Sequence, residues 1–368
     1  MKVAVDLSFI RPDHTNGGTE SCIKNLMKGW IEQGIIKNFL FFIHEDIYKE
    51  YRKTFPECEY AVYRLRGGHK IRTTLFQTII LPRWIKTYGI DLVYYPTYTT
   101  GYYRSLSIPA VVNPHDVQFK FYPEYFSTAK RLYLDLGYRH SLKQADLVLA
   151  ISDYVKDSLL YYYGEECRRK ICTVYDPVDF SPQEEEPLEC VHEPYILSVS
   201  SIAKHKNMIT LIKAFERLCA QYPHQLVIVG CKGNGMKEIA CYIKERKLEE
   251  RICFTDYVKD SNVEWLYNHA SLYVTTSLYE GFGMTPIEAM GRGIPTITSR
   301  AASLPEVTME MAVYYDPPED DVNLAEQICA VLADDSFHIP DREAFLQTYD
   351  KQVIAGKLYH VFEKLTER

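Results

Sequence analysis

Residues 277–295 read SLYEGFGMTPIEAMGRGIP. An apolar run, SLYVTTS (271–277), leads into this stretch, and PIEAMGRG (286–293) continues it with helical spacing. Between them stand Glu280, then Gly281-Phe282-Gly283, then Met284, with Thr285-Pro286 expected to open a helix that carries Glu288 in its first turn. Glycines let the backbone come close to a ligand and turn several N–H groups toward it. A following helix N-terminus adds about half a positive charge, which suits a phosphate. The pattern is that of a diphosphate cradle without a lysine of its own. Each carboxylate can accept from two vicinal hydroxyls, so the two acids suit a sugar and a ribose. Thr285-x-x-Glu288 also has the form of a capping box with proline at the first helical position, and taken alone that is the simpler reading of Glu288. Glu280 alone reads as a loop acid and the glycines as a turn. Each simpler reading accounts for one residue, whereas the cradle accounts for all of them.

The rest of the chain repeats the same strand–loop–helix order. KVAVDLS (2–8), NFLFFIH (38–44), DLVYY (91–95), AVVNP (110–114) and ADLVLAIS (145–152) are apolar for most of their length, as strands covered on both faces are. Segments 20–34, 72–89 (interrupted by Pro82) and 127–145 carry apolar residues at i, i+3 and i+4. YILSVSS (195–201), LVIVG (226–230), ICFTD (252–256), SLYVTTS and TITS (296–299) form a second series, with helices over 207–222, 265–270 and 286–293. Alternating strand and helix predicts parallel sheets with right-handed crossovers. The fold class is therefore α/β, with two Rossmann-like domains whose parallel sheets face each other across a cleft, where open parallel sheets bind ligands. The expected division is 1–180, a Pro- and Glu-rich linker at 181–194, a second domain over 195–350, and a tail helix at 351–368 crossing back to the first domain.

Length and composition agree, since 368 residues suit two domains and 46% hydrophobic with 25% charged residues is a globular balance. The apolar start is too short for a secretory signal, and no stretch approaches the roughly 20 apolar residues of a membrane span, so a cytoplasmic protein is expected. Ten cysteines, scattered singly without a CxxC pair, suit reduced thiols and argue against structural zinc. A formal charge of −7 argues against nucleic acid as a partner. The charge is uneven: Arg64, Arg66, His69, Lys70, Arg72, Arg83 and Lys86 crowd one stretch. That stretch reads either as a solvated helix face or as a surface for an anionic partner or membrane. A nicotinamide-dependent dehydrogenase is disfavoured because NGGTE (16–20) stands where GxGxxG is needed.

The segment from Glu280 to Glu288 resembles the Glu-x7-Glu signature of retaining family 4 glycosyltransferases of the GT-B fold, with a mannosyltransferase-like branch nearest. GGTE (17–20), PHDVQFKFYPEYF (114–126), ADLVLAISDYVKDSL (145–159), SVSSIAKHKNMITLIKAF (198–215), LVIVG and SLPEV (303–307) follow in family order over nearly the whole chain. The resemblance implies a metal-independent hexosyltransferase without cofactor, which moves a sugar from a nucleotide-sugar to a glycan or lipid-linked saccharide acceptor in polysaccharide biosynthesis. GDP-mannose is the favoured donor over UDP-linked sugars, and peripheral association at the inner membrane face is the implied location. It makes Glu280, Lys206 and His115 catalytic. The implied donor-binding residues are Gly17, Gly18, Lys204, Gly281, Phe282, Gly283, Met284, Thr285 and Glu288, with no metal ligand. By their own sequence context, Gly17-Gly18 also read as a turn before a helix, and His115-Asp116 as a turn histidine with a capping acid. The chain departs from the family pattern at His205 and Ser201, where an arginine is usual at one or the other, with Lys204 a substitute, and at Thr276, where proline is usual. The alternatives are a nucleotide-sugar epimerase or hydrolase on the same scaffold, and a non-catalytic transferase-like partner subunit.

Overall fold

The computed structural model describes residues 1–13, 16–103, 105–334 and 336–367. The chain forms two compact units, Met1–Val178 with Thr348–Arg368, and Asp179–Gln347. In the first, β1 (Val3–Asp6), β2 (Phe39–His44), β3 (Glu59–Tyr63), β4 (Leu92–Tyr95), β5 (Ala110–Val112), β6 (Leu147–Ala150) and β7 (Ile171–Thr173) make one sheet in the order β3-β2-β1-β4-β5-β6-β7. Every pairing is parallel, with Val3 opposite both Phe39 and Leu92. In the second, β8 (Tyr195–Val199), β9 (Gln225–Val229), β10 (Ile252–Asp256), β11 (Leu272–Thr275), β12 (Thr296–Ser299) and β13 (Val313–Tyr315) give the order β10-β9-β8-β11-β12-β13, again parallel throughout.

The strands in the middle of each sheet are the continuous apolar runs read from the sequence, and they are buried along their length. The three strands absent from that reading, β3, β7 and β13, are all at sheet edges and are only partly buried. An edge strand has one neighbour and an open flank, so it lacks the unbroken apolar run that marks a central one.

Pro82 does not end its helix. The helix His69–Leu75 passes through a π-helical turn, Phe76–Ile80, into the helix Leu81–Tyr88, where Pro82 occupies the first turn. A proline there lacks an N–H that the wider turn leaves without a partner anyway. The helix Lys351–Thr366 packs into unit 1. Ile354, Ala355, Leu358 and Phe362 lie in its core, and Trp30 Nε1 donates to the Ala355 carbonyl at 3.1 Å. Gly29 makes this approach possible, since a Cβ there would stand 2.7 Å from the Ala355 Cβ.

The segment 181–194, expected as a linker, lies along unit 2. Lys259 Nζ pairs with Glu186 at 2.9 Å, Glu186 N–H donates to the Ser261 carbonyl, and Val191 is buried in the core. Among the described residues no helix is long and apolar enough to cross a membrane.

Candidate active site

In each sheet the strand order reverses beside the first strand of its unit, between β1 and β4 and between β8 and β11. The loops leaving the carboxyl ends of such neighbours diverge and open a crevice. The sequence-predicted residues sit on the loops after β1, β8 and β11, with His115 on the loop after the neighbouring β5.

In unit 2, β8 runs into a short turn, Lys204–Lys206, and β11 into the loop that carries Glu280. The two loops are fastened together. Leu278 N–H donates to the His205 carbonyl at 2.7 Å, and the Thr276 hydroxyl reaches the carbonyls of Lys206 and Asn207 at 2.9 and 3.0 Å. The threonine that stands where the family has proline therefore positions the lysine turn. Lys206 Nζ lies 2.5 Å from Glu280 Oε1, and the Ser277 hydroxyl donates to the same oxygen at 2.6 Å. Burial alone would raise the Glu280 carboxyl. The Lys206 ammonium, with the hydrogen bonds from Lys206 and Ser277, outweighs it and holds the group below its ordinary value. Glu280 is thus ionised with Oε1 fully engaged, and among the described residues Oε2 has no hydrogen-bond partner.

Ser303, at the head of SLPEV, holds the rest of the loop. Its hydroxyl donates to the carbonyls of Glu280 and Phe282 at 2.9 and 3.0 Å. Gly283 has φ 96° and caps the helix Met284–Gly291. This corrects the expected helix start: Met284 is the first helical residue, Thr285 and Pro286 are the second and third, and Glu288 lies beyond the first turn. The capping box does not form, because the Thr285 hydroxyl accepts from Tyr273 at 2.7 Å and Glu288 Oε2 accepts from Tyr267 at 2.9 Å. Burial pushes the Glu288 carboxyl above its ordinary value, against the pull of Arg292 and the Tyr267 hydrogen bond. Arg292 in turn is paired with Glu264 at 2.5 Å and lies over the Tyr267 ring. Among the described residues Glu288 Oε1 has no hydrogen-bond partner.

Along this loop Glu280, Gly281, Met284, Thr285 and Glu288 are partly accessible, while Phe282 and Gly283 are buried. Phe282 is 3% exposed, so it packs into the core rather than facing a ligand. Lys204 is exposed, and among the described residues nothing joins its ammonium to Glu280. His205 does not replace the missing arginine. Burial, reinforced by the Lys206 charge, lowers its imidazole to about 4, leaving it neutral at pH 7.

In unit 1, Gly17 takes φ 55° at the head of the helix Gly18–Glu32, and the space where its Cβ would project is open. His115, after β5, is gripped at both ring nitrogens. Nε2 is 3.1 Å from the Pro96 carbonyl and Nδ1 is 3.6 Å from Asp176 Oδ2. Both partners only accept, which favours the protonated ring. Burial would lower its pKa, but Asp176 and the Pro96 carbonyl raise it above the ordinary histidine value. Asp176 is buried, and its other oxygen takes the Cys22 thiol at 3.1 Å, which ties His115 to the helix that Gly17 caps. Asp116 accepts from the Gln118 N–H at 2.9 Å, a local turn role. Asp176 was not singled out in the sequence; its one signal is its place after β7 in YDPVD.

Residues 16–182 match the family model described as Glycosyltransferase Family 4, and residues 180–350 the one described as Glycosyl transferases group 1. O-antigen chain mannosyltransferase B of Escherichia coli is 29% identical over 240 residues, 62% of each chain. O-antigen chain mannosyltransferase RfbU of Salmonella typhimurium is 29% identical over 212 residues, 57% of each. The alignments thus span about six-tenths of the length of these relatives. Among solved structures, sucrose-phosphate synthase from Thermosynechococcus elongatus superposes with a TM-score of 0.78 at 19% identity over 99% of both chains. Anabaena Alr3699/HepE, solved in complex with UDP and glucose, superposes with a TM-score of 0.72 at 19% identity over 99% of this chain and 100% of its own. With consecutive family models running from residue 16 to residue 350 over two parallel-sheet units shared end to end with such enzymes, the chain belongs to the family 4 glycosyltransferases of the GT-B fold.

Proposed function

We propose that the protein transfers a hexose, mannose foremost, from a nucleoside-diphosphate sugar to a glycan or lipid-linked saccharide in polysaccharide biosynthesis. The observation that carries this reading is the Lys206–Glu280 pair at the adjoining carboxyl ends of β8 and β11. It supplies one ammonium for a departing diphosphate and one anchored carboxylate with an oxygen left for sugar hydroxyls. Met284 and Thr285, partly accessible at the head of the helix Met284–Gly291, add N–H groups at a helix N-terminus, and Glu288 Oε1 is available to the ribose. The two O-antigen mannosyltransferase relatives support mannose and polysaccharide assembly.

In the reaction we infer, an acceptor hydroxyl attacks the anomeric carbon from the face the diphosphate leaves. The C1–O bond to phosphate breaks, the new glycosidic bond forms, and the hydroxyl proton passes to the departing phosphate oxygen. Configuration is retained, and no protein nucleophile takes part. Because both nitrogens of His115 face protein acceptors, it acts as a positioning group rather than a proton carrier. Lys206, with Lys204 nearby in the same turn, replaces a metal as the counter-charge. Peripheral membrane association belongs to the same proposal, supported by exposed Ile71, Ile79, Leu132 and Leu136 on cationic helices of unit 1.

The test is transfer of labelled mannose from GDP-mannose, beside UDP-glucose, to saccharide acceptors, by the wild type and by Glu280→Gln. The variant is expected to lose about a hundredfold or more in kcat while still melting cooperatively. Wild-type transfer should persist in excess EDTA. Full activity in the variant overturns the assignment.

A further inference from the structure

All ten thiols of the chain are free, and two of them meet in unit 2 at a place that the transfer chemistry does not use. Cys190 stands near the end of the segment that leads into β8, and Cys253 is the second residue of β10, the edge strand of its sheet. The Cys253 thiol donates to the Cys190 sulfur at 3.2 Å, although the two residues are 63 positions apart. That contact is about 1 Å longer than a sulfur–sulfur bond, so a small side-chain rotation brings the atoms to bonding distance.

The surrounding chain holds the contact in place. Gln225, the first residue of β9, grips the segment at two points. Its Nε2 donates to the Cys190 carbonyl at 3.3 Å, and its Oε1 accepts from the His192 N–H at 2.9 Å. Val191 is buried with Tyr195, Leu197 and Val227 in the core cluster that Cys253 packs against. Glu186 is tied to Lys259 at 2.9 Å upstream, and Glu193 to His269 at 3.0 Å downstream. Cys190 is therefore fastened on both sides, and the fold brings the two sulfurs together before any bond forms.

The sulfurs differ in access. Cys190 is exposed, and Cys253 is half-buried behind it. Burial, with Cys190 beside it, pushes the Cys253 thiol up to about 12, so it stays protonated at pH 7. An oxidant thus meets the Cys190 sulfur first, and Cys253 is placed to resolve the product. Part of the rise at Cys253 comes from Cys190 itself and disappears once that sulfur is capped.

We propose that Cys190 and Cys253 form a modification site, a dithiol that low-molecular-weight disulfides convert into a reversible disulfide fastening the segment 181–194 to β10. The Cys190 thiolate attacks one sulfur of glutathione disulfide, breaking its S–S bond, expelling one glutathione thiolate and leaving the other glutathione on Cys190. The Cys253 sulfur then attacks Cys190 Sγ, loses its proton and expels the second glutathione thiolate. Two protein thiols are oxidised, one glutathione disulfide is reduced, and the two departing thiolates take up the two protons. The bond ties together residues 63 positions apart, which are free to separate in the unfolded chain, and so it stabilises unit 2.

The test incubates the full chain with glutathione disulfide, alkylates the remaining thiols and maps a digest without reduction. The expected result is a peptide pair joined through Cys190 and Cys253, with two alkylatable thiols lost and both regained in dithiothreitol. The melting temperature of the oxidised protein should stand at least about 5 °C above that of the reduced protein. Cys253→Ser should stop the reaction with glutathione on Cys190, and Cys190→Ser should leave Cys253 unmodified, each melting with the reduced wild type. Cys190 joined instead to Cys231 or Cys241, which are also exposed, or to a second chain, overturns the proposal. So does a full count of thiols after incubation, glutathione remaining on Cys190 in the wild type, or a linked pair that melts no higher. None of these readouts depends on transfer activity.

Discussion

Glu280 and Glu288 are eight positions apart and meet opposite electrostatic fates. Glu280 is held ionised by Lys206, whereas Glu288 is pushed toward its neutral form by burial. Glu288→Gln should therefore cost little stability, since it removes a charge that the folded state disfavours and no cap is lost. Its nucleotide affinity should fall about tenfold or more, the value of a charge-assisted hydrogen bond. In the wild type, affinity should decline as pH drops through a value above the ordinary 4.5, and that acid limb should vanish in the variant. Isothermal titration at a series of pH values reads both effects. His115 gives a second pH signature. Its pKa is raised in the folded state, so the stability it contributes with Asp176 is fully present below the ordinary histidine value of 6.5 and is lost as pH rises through the raised one. Asp176→Asn should narrow its stability deficit relative to wild type across that window, as denaturant unfolding would show.

At the scale of elements, the loop from β11 into the helix Met284–Gly291 owes its shape to one glycine. Gly283 adopts φ 96°, and an added Cβ would stand 3.0 Å from Leu304 Cδ2 of the SLPEV helix. Gly283→Ala should cost about 1–2 kcal/mol of backbone strain. It should also weaken nucleotide binding, because the N–H groups on either side are re-aimed; unfolding and thermal-shift measurements separate the two effects. The loop's chemistry was legible because it lies within nineteen consecutive residues. The bonds that set it were not: Ser303, Thr276 and Tyr267 come from distant segments and meet Glu280, Lys206 and Glu288 only through the fold. The capping box failed as a reading for the same reason, since Tyr273 and Tyr267 claim both side chains that would have formed it.

At the scale of the molecule, the chain leaves unit 1 after Val178 and returns after Gln347. The Val178 N–H donates to the Tyr349 carbonyl at 2.8 Å, so departure and return are joined. The last helix then fills the unit 1 core. Removing residues 351–368 should expose Trp30 and the apolar face of the helix Gly18–Glu32, lowering the melting temperature of unit 1 by more than 10 °C or abolishing its folding. Circular dichroism and limited proteolysis would report this. Alternating apolar strands and helices determined the α/β class and the duplication, because buried central strands and amphipathic helices write their periodicity directly into consecutive residues. The Glu-x7-Glu segment likewise carried its own chemistry in local order. Tertiary structure alone decided the edge strands, the ionised state of Glu280 and the clamp of Asp176 on His115, since each depends on partners far apart in the chain, where charge, burial and shape are set by proximity in space.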